Sequence, residues 1–534
     1  ASTTDTLNIT VTGAASSVTH GAAICDATIG TVSFAAGGLD DTTDNLSAST
    51  YAALDKVVAK DADVVITISN AADGTIVSTV LSTIGGKTSG DVTVTNAQTI
   101  TGSEAELTAA LVTEASTVIL GGSSPLTMSG SGAFDKVQAL AGVTNVGNIT
   151  GTVTETTATN LAGAGFNNMD GNDELAISVS GTPSVANINT IASRTAGVVT
   201  ATVAAGNYAA QNELTTAATD VISVTVNDEI TVTQFDTLNG KTGGDITVSG
   251  GVSGTAAEFV STAGVVTASL TALDAQNTNF AVTTSDATNI AQYDKIDSVN
   301  GNGSITVASI ADTIANCTPS DAIHGLFTAN DGIAVALTAA TITDVTNINL
   351  IKGATTGDVS CTISGTAAVL QGLSASTTDT LNITVSGAAA SVTHAAAICD
   401  ATIGTVSFAA GGLSDTGGNL SESTYEALDK VVAKDDDVVI TISDVADTSI
   451  AATVLSIIGG KTTGDITVTN AIVITGDAAE VTAALVTAGT LVIAANSKPT
   501  ISGTATVSQL NDIAAKCGVI TATLEAGIAA TADG

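Results

Sequence analysis

Clusters of acidic side chains are the residues of this chain whose types and spacing are best suited to chemistry. Carboxylates are the usual ligands of hard divalent cations, and several carboxylates in one loop can surround a calcium ion. Two clusters are therefore candidate calcium sites, and their members are Asp170, Asp173, Glu174, Asp435, Asp436 and Asp437. The alternative is that these are solvated loop acids, because neither the EF-hand pattern nor a repeated calcium-binding nonapeptide occurs.

A Gly-Lys-Thr motif invites comparison with phosphate-binding loops. It occurs at 85–94, 239–248 and 459–468. A phosphate-binding loop needs a glycine five residues before the glycine of Gly-Lys, because its backbone N–H groups must form a nest. Those positions hold Leu81, Phe235 and Leu455, each in a predicted apolar helix face. We therefore interpret the motif as a helix end, with the lysine near the carbonyl end of the helix dipole.

Histidine and cysteine residues indicate neither catalysis nor a zinc site. The three histidines, His20, His324 and His394, occur in no zinc-binding or hydrolase motif. The five cysteines have no CxxC spacing, and we predict that they are small buried side chains. They are Cys25, Cys317, Cys361, Cys399 and Cys517. We expect that the protein is not an enzyme.

The charge balance excludes several classes of partner. The chain has 51 acidic and 13 basic residues, a formal net charge of −38. A nucleic-acid binder needs basic patches that displace phosphate counterions, and an anionic membrane surface would repel this chain. No run of 18 apolar residues occurs, so we expect no membrane insertion. An acidic surface with few lysines is typical of a secreted protein kept soluble by self-repulsion.

The chain repeats itself at an offset of 374 residues. ASTTDTLNITVTGAASSVTH at 1–20 returns as ASTTDTLNITVSGAAASVTH at 375–394, and the register holds beyond Pro125 and Pro499. Repeats of this kind are typical of arrays, which are to be recognised before any fold is assigned. We expect 1–374 to be the first long repeat and 375–534 to be the start of a second, continuous with the first.

Short β-branched runs alternate with helical patterns inside the long repeat. The strand-like runs include LNITV (7–11), DVTVTN (91–96), VISVTV (221–226) and VVTASL (265–270), and the helical segments include 49–60, 75–87 and 103–112. Strands alternating with helices at this interval predict a parallel sheet. We predict an α/β repeat fold: a parallel β-α solenoid of about fourteen units per long repeat. Each unit has about 20–40 residues, with the strands in one continuous sheet and the helices on the other side.

Three helices are predicted to begin with a capping box. In this motif the first side chain accepts a backbone N–H three residues on, and the glutamate there reaches back. The pairs are Ser103 with Glu106, Thr255 with Glu258, and Asp477 with Glu480.

The repeated segments also indicate a family. LNGKTGGDITV (238–248) and SGTAAEF (253–259) resemble the units of long, acidic, Thr/Ala/Gly-rich repetitive surface or secreted proteins of bacteria, especially marine cyanobacteria. The resemblance covers most of the chain. It implies an extracellular or cell-surface structural role, often with calcium.

We therefore expect an extracellular structural repeat protein, the protomer of a surface layer, sheath or filament. The terminal units of a solenoid expose a sheet edge and apolar core unless they are capped, and neither end of the sequence resembles a cap. We expect another copy to cover the open unit, so that copies stack head to tail. The alternative is an adhesin stalk or virus fibre that binds a host surface, with cell-surface glycans as the candidate partner.

Overall fold

The computed structural model describes residues 4–35, 37–113, 118–155, 157–163, 168–408, 411–490 and 492–524. The chain forms two compact regions. The first comprises Ala1–Ser253 and Thr271–Phe280, and the second comprises Gly254–Leu270 and Ala281–Gly534.

Thirty β-strands lie in the described part of the chain, most of them three to eight residues long. The first sixteen are β1 (Ile9–Val11), β2 (Val32–Phe34), β3 (Leu39–Asp41), β4 (Ile66–Ile68), β5 (Gly74–Val77), β6 (Val92–Val94), β7 (Gln98–Gly102), β8 (Val118–Leu120), β9 (Ser124–Gly132), β10 (Val146–Val153), β11 (Glu174–Ser178), β12 (Val199–Thr202), β13 (Val221–Val226), β14 (Ile230–Thr231), β15 (Ile246–Val248) and β16 (Val252–Gly254). The others are β17 (Val282–Thr288), β18 (Ile305–Asp312), β19 (Ala334–Leu337), β20 (Ala340–Thr341), β21 (Val359–Thr366), β22 (Thr380–Ser386), β23 (Val406–Ser407), β24 (Leu413–Asp415), β25 (Ile440–Ile442), β26 (Ser449–Ala451), β27 (Ile466–Val468), β28 (Val473–Gly476), β29 (Lys498–Ala505) and β30 (Thr521–Leu524).

Twenty-two α-helices lie in the same described ranges. The first eleven are α1 (Val18–Asp26), α2 (Thr43–Val58), α3 (Ser78–Gly85), α4 (Glu104–Leu111), α5 (Phe134–Ala141), α6 (Ala158–Ala162), α7 (Val185–Ala192), α8 (Tyr208–Gln211), α9 (Val232–Asn239), α10 (Ala256–Phe259) and α11 (Ala268–Gln276). The others are α12 (Ile290–Asp297), α13 (Ile314–Cys317), α14 (Leu326–Ala329), α15 (Thr346–Ala354), α16 (Ala367–Leu370), α17 (Val392–Asp400), α18 (Gly417–Leu420), α19 (Glu422–Val432), α20 (Ala452–Gly459), α21 (Ala478–Leu485) and α22 (Val507–Ala514).

In the first region the strands join parallel ladders in the order of the sequence. One ladder has the order β3-β4-β6-β8, and a longer one runs from β5 through β7, β9, β10, β11, β12 and β13 to β15. The pairs β1-β2 and β14-β16 are also parallel. Helices pack side by side, as α1 does with α2 and α3 does with α4. Within each ladder, neighbouring strands thus follow one another in the order of the sequence, although consecutive strands of the chain often belong to different ladders.

The second region has the same organisation. Its longest ladder runs β17-β18-β19-β21-β22-β23, with β20 also pairing with β21, and shorter ladders run β24-β25-β27 and β26-β28-β29-β30. Strands β21 and β22 pair in parallel over seven residues, from Ser360 opposite Thr380 to Thr366 opposite Ser386. The predicted α/β class with parallel strands is confirmed.

The prediction of one continuous sheet is wrong. The described strands form six sheets. The reason is that many β-α units contain two strands separated by a bend, such as β4 with β5 and β6 with β7. The short extended segment before the helix is itself a strand, and it pairs in a second ladder, as β5 does with β7, which in turn pairs with β9.

The core lies between the ladders and the helices and is built from Leu, Ile and Val. Leu39, Ile66, Val92 and Val118 occupy one register row across four strands, and all four are buried. Successive strand residues point to opposite faces, so a β-branched residue packs inward while its neighbour faces out.

The predicted capping boxes at Ser103, Thr255 and Asp477 are confirmed. The predicted strand at 265–270 is wrong, because helix α11 begins at Ala268. There the Thr267 hydroxyl accepts the N–H of Leu270 at 3.2 Å, which starts a helix instead. Among the described residues, no helix combines the length and hydrophobicity needed to cross a membrane.

Candidate functional site: bonds between successive β-α units

A buried threonine, followed two residues later by a glycine, recurs at the start of seven β-α units. Its hydroxyl donates to a carbonyl of the preceding unit and accepts the glycine N–H. For Thr88 the distances are 2.7 Å to the Val64 carbonyl and 3.0 Å from the Gly90 N–H. We call these residues the hub threonines. The other six are Thr28, Thr195, Thr242, Thr355, Thr402 and Thr462.

The glycines after the hub threonines allow successive units to approach closely. A Cβ atom on Gly90 would lie 2.2 Å from the carbonyl oxygen of Asp63, and one on Gly464 would lie 2.2 Å from that of Asp437. No real side chain fits at that distance, so only glycine leaves the backbones in contact.

The lysines of the Gly-Lys-Thr motif contact the preceding unit rather than a phosphate. Lys87 pairs with Asp55 on α2, and Lys461 pairs with Asp429 on α19. The third lysine, Lys241, donates to the Asn212 side chain at 2.8 Å. Our interpretation of the motif as a helix end holds, since Gly86, Gly240 and Gly460 are the C-caps of α3, α9 and α20, respectively. The lysine Nζ nevertheless contacts the preceding unit. The sequence analysis did not predict this contact.

A left-handed backbone segment holds an aromatic ring beside each of two lysines. Ser49, Thr50 and Tyr51 have φ of 50°, 59° and 67°, and the equivalent 423–425 has the same conformation. The Tyr51 ring centre lies 5.2 Å from Lys87 Nζ, and the second copy gives 5.1 Å. A cation–π contact stabilises this arrangement. The predicted helix 49–60 is therefore wrong at its start, because Ser49, Thr50 and Tyr51 are not in the right-handed helical conformation.

Buried aspartates cap backbone N–H groups of the preceding unit. Asp41 accepts the N–H of Val18 at 3.0 Å, the N–H of Thr42 at 2.9 Å and the side-chain amide of Asn45 at 2.6 Å. Asp415 makes the equivalent bonds in the second copy. An N–H that lies inside the protein must find an acceptor, and here the acceptor comes from the next unit.

Such bonds recur along the chain, with an acid or amide 20 to 29 residues after the N–H it accepts. Other side chains in this role include Asp61, Asn70, Asp173, Asp220, Asn277, Asp312, Asp379, Asp435 and Asp444. Together with the hub threonines they form a polar network between units.

The first predicted calcium cluster is divided between two environments. Asp173 is buried, and its carboxylate accepts the N–H groups of Ile149 at 2.7 Å and Asp170 at 3.1 Å. Asp170 is exposed and accepts the N–H of Asn172 at 2.8 Å, while Glu174 is an exposed residue of β11. Asp170 and Asp173 do line one polar cavity of about 250 Å³, together with Ser123, Asn148 and Asn168.

The second predicted cluster is likewise divided. Asp435 accepts the N–H of Phe408 at 2.6 Å, whereas the side chains of Asp436 and Asp437 are exposed. In the parts of the chain that the structure describes, no group of three or more His, Cys, Asp or Glu residues is arranged to hold a metal ion. Calcium binding stays a prediction.

The cysteines are free thiols; four of the five are buried as predicted, whereas Cys517 is only half-buried. Burial raises the pKa of Cys317 and of Cys399 to about 12, which keeps both thiols protonated and unreactive. Of the histidines, His324 has Nε2 3.0 Å from an Asp294 carboxylate oxygen, and its Nδ1 accepts the N–H of Leu326.

A larger cavity of about 650 Å³ is open to solvent and lies beside α5 and α6. It is lined by Ala133, Phe134, Asp135, Thr154, Glu155, Thr159, Asn160 and Gly163. The Glu155 carboxylate accepts two hydrogen bonds from residues close in sequence, the N–H of Thr157 and the side-chain amide of Asn160. The lining contains no cysteine, histidine or lysine for nucleophilic or acid–base catalysis.

Removing one buried hydroxyl is expected to stabilise the protein. Ser78 is fully buried, and its Oγ has no hydrogen-bond partner among the described residues, while the equivalent residue of the second copy is the buried Ala452. Ser78→Ala should raise the free energy of unfolding by about 1 kcal/mol, because a desolvated, unpaired hydroxyl is removed. Urea denaturation measures this. Thr79→Ala on the exposed neighbour is the control, and a destabilised Ser78→Ala would contradict the assignment.

Stability is expected to fall as pH rises above the pKa of an unfolded carboxyl group, which is about 4. Burial raises the pKa values of Asp61, Asp173 and Asp435 above that of an unfolded carboxyl group. Between the unfolded pKa of about 4 and the raised values, the folded state binds more protons, so stability is lost as pH rises through that window. Thermal melts at pH 5 and 8 test this. A difference that persists in about 1 M NaCl reflects the buried groups, because salt screens the surface charges; equal melting temperatures would contradict it.

No protein-family model matches this chain, and a comparison with curated proteins finds no similar one. The network of hub threonines, lysines and buried acids is therefore the main structural indication of function. The sequence signal for these threonines is a Thr-x-Gly that recurs shortly before seven of the strands.

Proposed function

We propose that this chain is an extracellular structural repeat protein. Its β-α units stack as a solenoid, and its copies join head to tail in a surface layer, sheath or filament. The observation that carries the proposal is that each ladder adds its strands in the order of the sequence. A unit in such a ladder is held mainly by the units before and after it, which is the principle of a stacked repeat.

The polar network supports a structural role for the most recurrent residues. The hub threonines, the buried acids and the lysines of the Gly-Lys-Thr motif make bonds whose partners lie in the preceding unit. Side chains that fix spacing and register between units serve stacking. We therefore propose that these residues hold neighbouring units together and do not take part in catalysis.

An extracellular location is supported by the charge, and the buried thiols are compatible with it. The net charge of −38 keeps copies soluble by mutual repulsion. Four cysteines are buried free thiols, so they are protected from reaction in oxidising surroundings. Calcium would favour association of such acidic surfaces, and we propose it as a cation that promotes assembly.

Head-to-tail joining is supported by the kind of sheet edge that the ladders present. The outer edge of a parallel ladder has unpaired N–H and C=O groups that accept a further strand. Two different edges that meet make a heterologous contact, and such a contact continues into a polymer when it does not close into a ring.

Negative-stain microscopy of the purified chain tests this function. We expect filaments or sheets that lengthen with protein concentration, and fewer of them when a chelator removes calcium. Isolated particles at every concentration, with or without calcium, would contradict the proposal. If those particles bound a glycan array, the adhesin alternative would replace it.

A further inference from the structure

A groove in the second region lies where one β-α unit has no strand beside the next unit. Strand β18 ends at Asp312, and helix α13 begins shortly afterwards at Ile314. The next unit stays extended for longer, because β19 is followed by the short strand β20, which pairs with β21. The backbone of the preceding unit has thus already turned into a helix where a strand could lie beside β20.

In the neighbouring units the same position is filled by a strand. Strand β17 continues beside β18 as far as Thr288, which lies opposite Ile310. Strand β21 pairs with β22 along its whole length. The groove beside β20 is therefore an open strand position in the interior of the sequence.

The backbone edge of β20 that faces away from β21 is unpaired. The Ile342 N–H donates to the Ser364 carbonyl in β21 at 2.8 Å. Successive residues of a parallel strand turn their N–H and C=O groups to alternate sides, so those of Thr341 face away from β21. Among the described strands, none pairs with β20 on that side. Such an edge is a template for a further strand.

The groove is large enough for an extended chain with small side chains. Its volume is about 430 Å³, and its two walls are formed by 313–315 and by 338–344 with Asn347. The lining consists of threonine, alanine and isoleucine residues together with Asp344 and Asn347, and none of these is basic. Methyl groups and hydroxyls therefore surround the open backbone edge.

Two polar side chains of the lining favour a ligand that carries hydrogen-bond donors. The Thr346 hydroxyl and N–H donate to Asp344 Oδ1 at 2.7 and 2.9 Å, and these bonds hold the pKa of Asp344 below its ordinary value. Asp344 is exposed and therefore stays charged at neutral pH. Asn347 donates its Nδ2 to Asp321 at 2.9 Å, and its buried Oδ1 has no hydrogen-bond partner among the described residues.

The charge of the whole chain favours a basic ligand. The net charge of −38 creates a field that attracts cationic groups and repels acidic ones. A basic segment of a different protein consequently fits this groove better than an acidic segment does.

We propose that the groove beside β20 binds an extended segment of a different protein, one with small or β-branched side chains and a lysine near its carboxyl end. The segment adds in parallel to β20, and its main chain bonds to the N–H and C=O of Thr341. The lysine contacts Asp344, which follows β20 in the chain, so parallel addition places it near the carboxyl end of the segment. This inference concerns a partner protein and does not depend on head-to-tail assembly.

The probe is a short acetylated and amidated peptide of alternating valine and threonine that ends in lysine, titrated into the full chain by calorimetry. We expect saturable binding, with about tenfold slower hydrogen exchange at the Thr341 amide, as in strand addition to a sheet edge. The Ile342 amide, which already donates to Ser364, should change little. Replacing the peptide's lysine with glutamate should weaken binding at least about tenfold, because a charge-assisted contact is lost. No binding of the lysine peptide, or equal binding of both peptides, would overturn the site.

Asp344→Asn should weaken peptide binding about tenfold. Asp331→Asn is the control, since Asp331 is an exposed acid outside the groove, and it should leave binding unchanged. Equal losses in the two variants would mean that only the overall charge matters, which would overturn the site. If a neutral glycan bound instead and Asp344→Asn abolished its binding, the groove would be a saccharide site and the peptide proposal would be overturned.

Thr341→Pro tests the main-chain bonds. The substitution removes the N–H that faces the groove and keeps the bond from Ile342 to β21, so binding should be lost. Circular dichroism and the melting temperature show whether this variant is folded, and Asp344→Asn decides the matter if it is not. A folded Thr341→Pro variant that binds the peptide normally would overturn strand addition.

Discussion

Asp41→Ala is expected to lower the free energy of unfolding by about 3 kcal/mol. The substitution leaves the buried N–H of Val18 without its acceptor, and it also removes the bonds from Thr42 and Asn45. A buried donor that loses its acceptor destabilises the folded state by the full free energy of its desolvation.

Asp40→Ser is the matched control for this prediction. Asp40 is exposed on the same strand, and the second copy has Ser414 at its position, so we expect a change within about 0.5 kcal/mol. Urea denaturation and the amide exchange rate of Val18 measure both variants. If both substitutions lowered the free energy of unfolding equally, the burial of Asp41 would not account for its contribution to stability.

Leu381→Ala should destabilise the protein by about 3 kcal/mol, whereas Leu7→Ala should cost less than about 1 kcal/mol. The two leucines lie in identical heptapeptides, but only Leu381 is fully buried. Truncating a buried leucine loses its transfer free energy and leaves a cavity between β21 and β22.

Comparing the melting curves of these two variants tests the different environments directly. The sequence context is the same in both, so intrinsic propensities cancel. A large effect of Leu7→Ala would mean that its side chain is covered in solution. If this effect grew with protein concentration, another copy would be the cover.

Features set by near neighbours in the chain could be predicted from sequence. The capping box at Ser103 depends on a residue three positions away, and the exclusion of a phosphate loop at Leu81 depends on a local spacing. The strand β13 has the predicted bounds because five of its six residues are β-branched. Such features depend only on residues close in sequence, so the sequence alone is enough to recognise them.

Features set by the neighbouring unit could not be predicted in the same way. Thr88 bonds a carbonyl 24 residues earlier, and Lys87 pairs with a carboxylate 32 residues earlier. Composition also cannot separate Asp173, which turns inward, from its neighbour Glu174, which faces out. The acidic clusters consequently resembled metal sites in sequence, although one member of each caps the backbone.

Sedimentation velocity of the full chain over a range of concentrations tests the central claim most directly, namely that copies of this repeat stack through their open edges. At an ionic strength that screens the net charge, we expect species larger than one chain to increase with concentration in the wild type. A wild type that stays a single species of 51.8 kDa at every concentration would contradict the account.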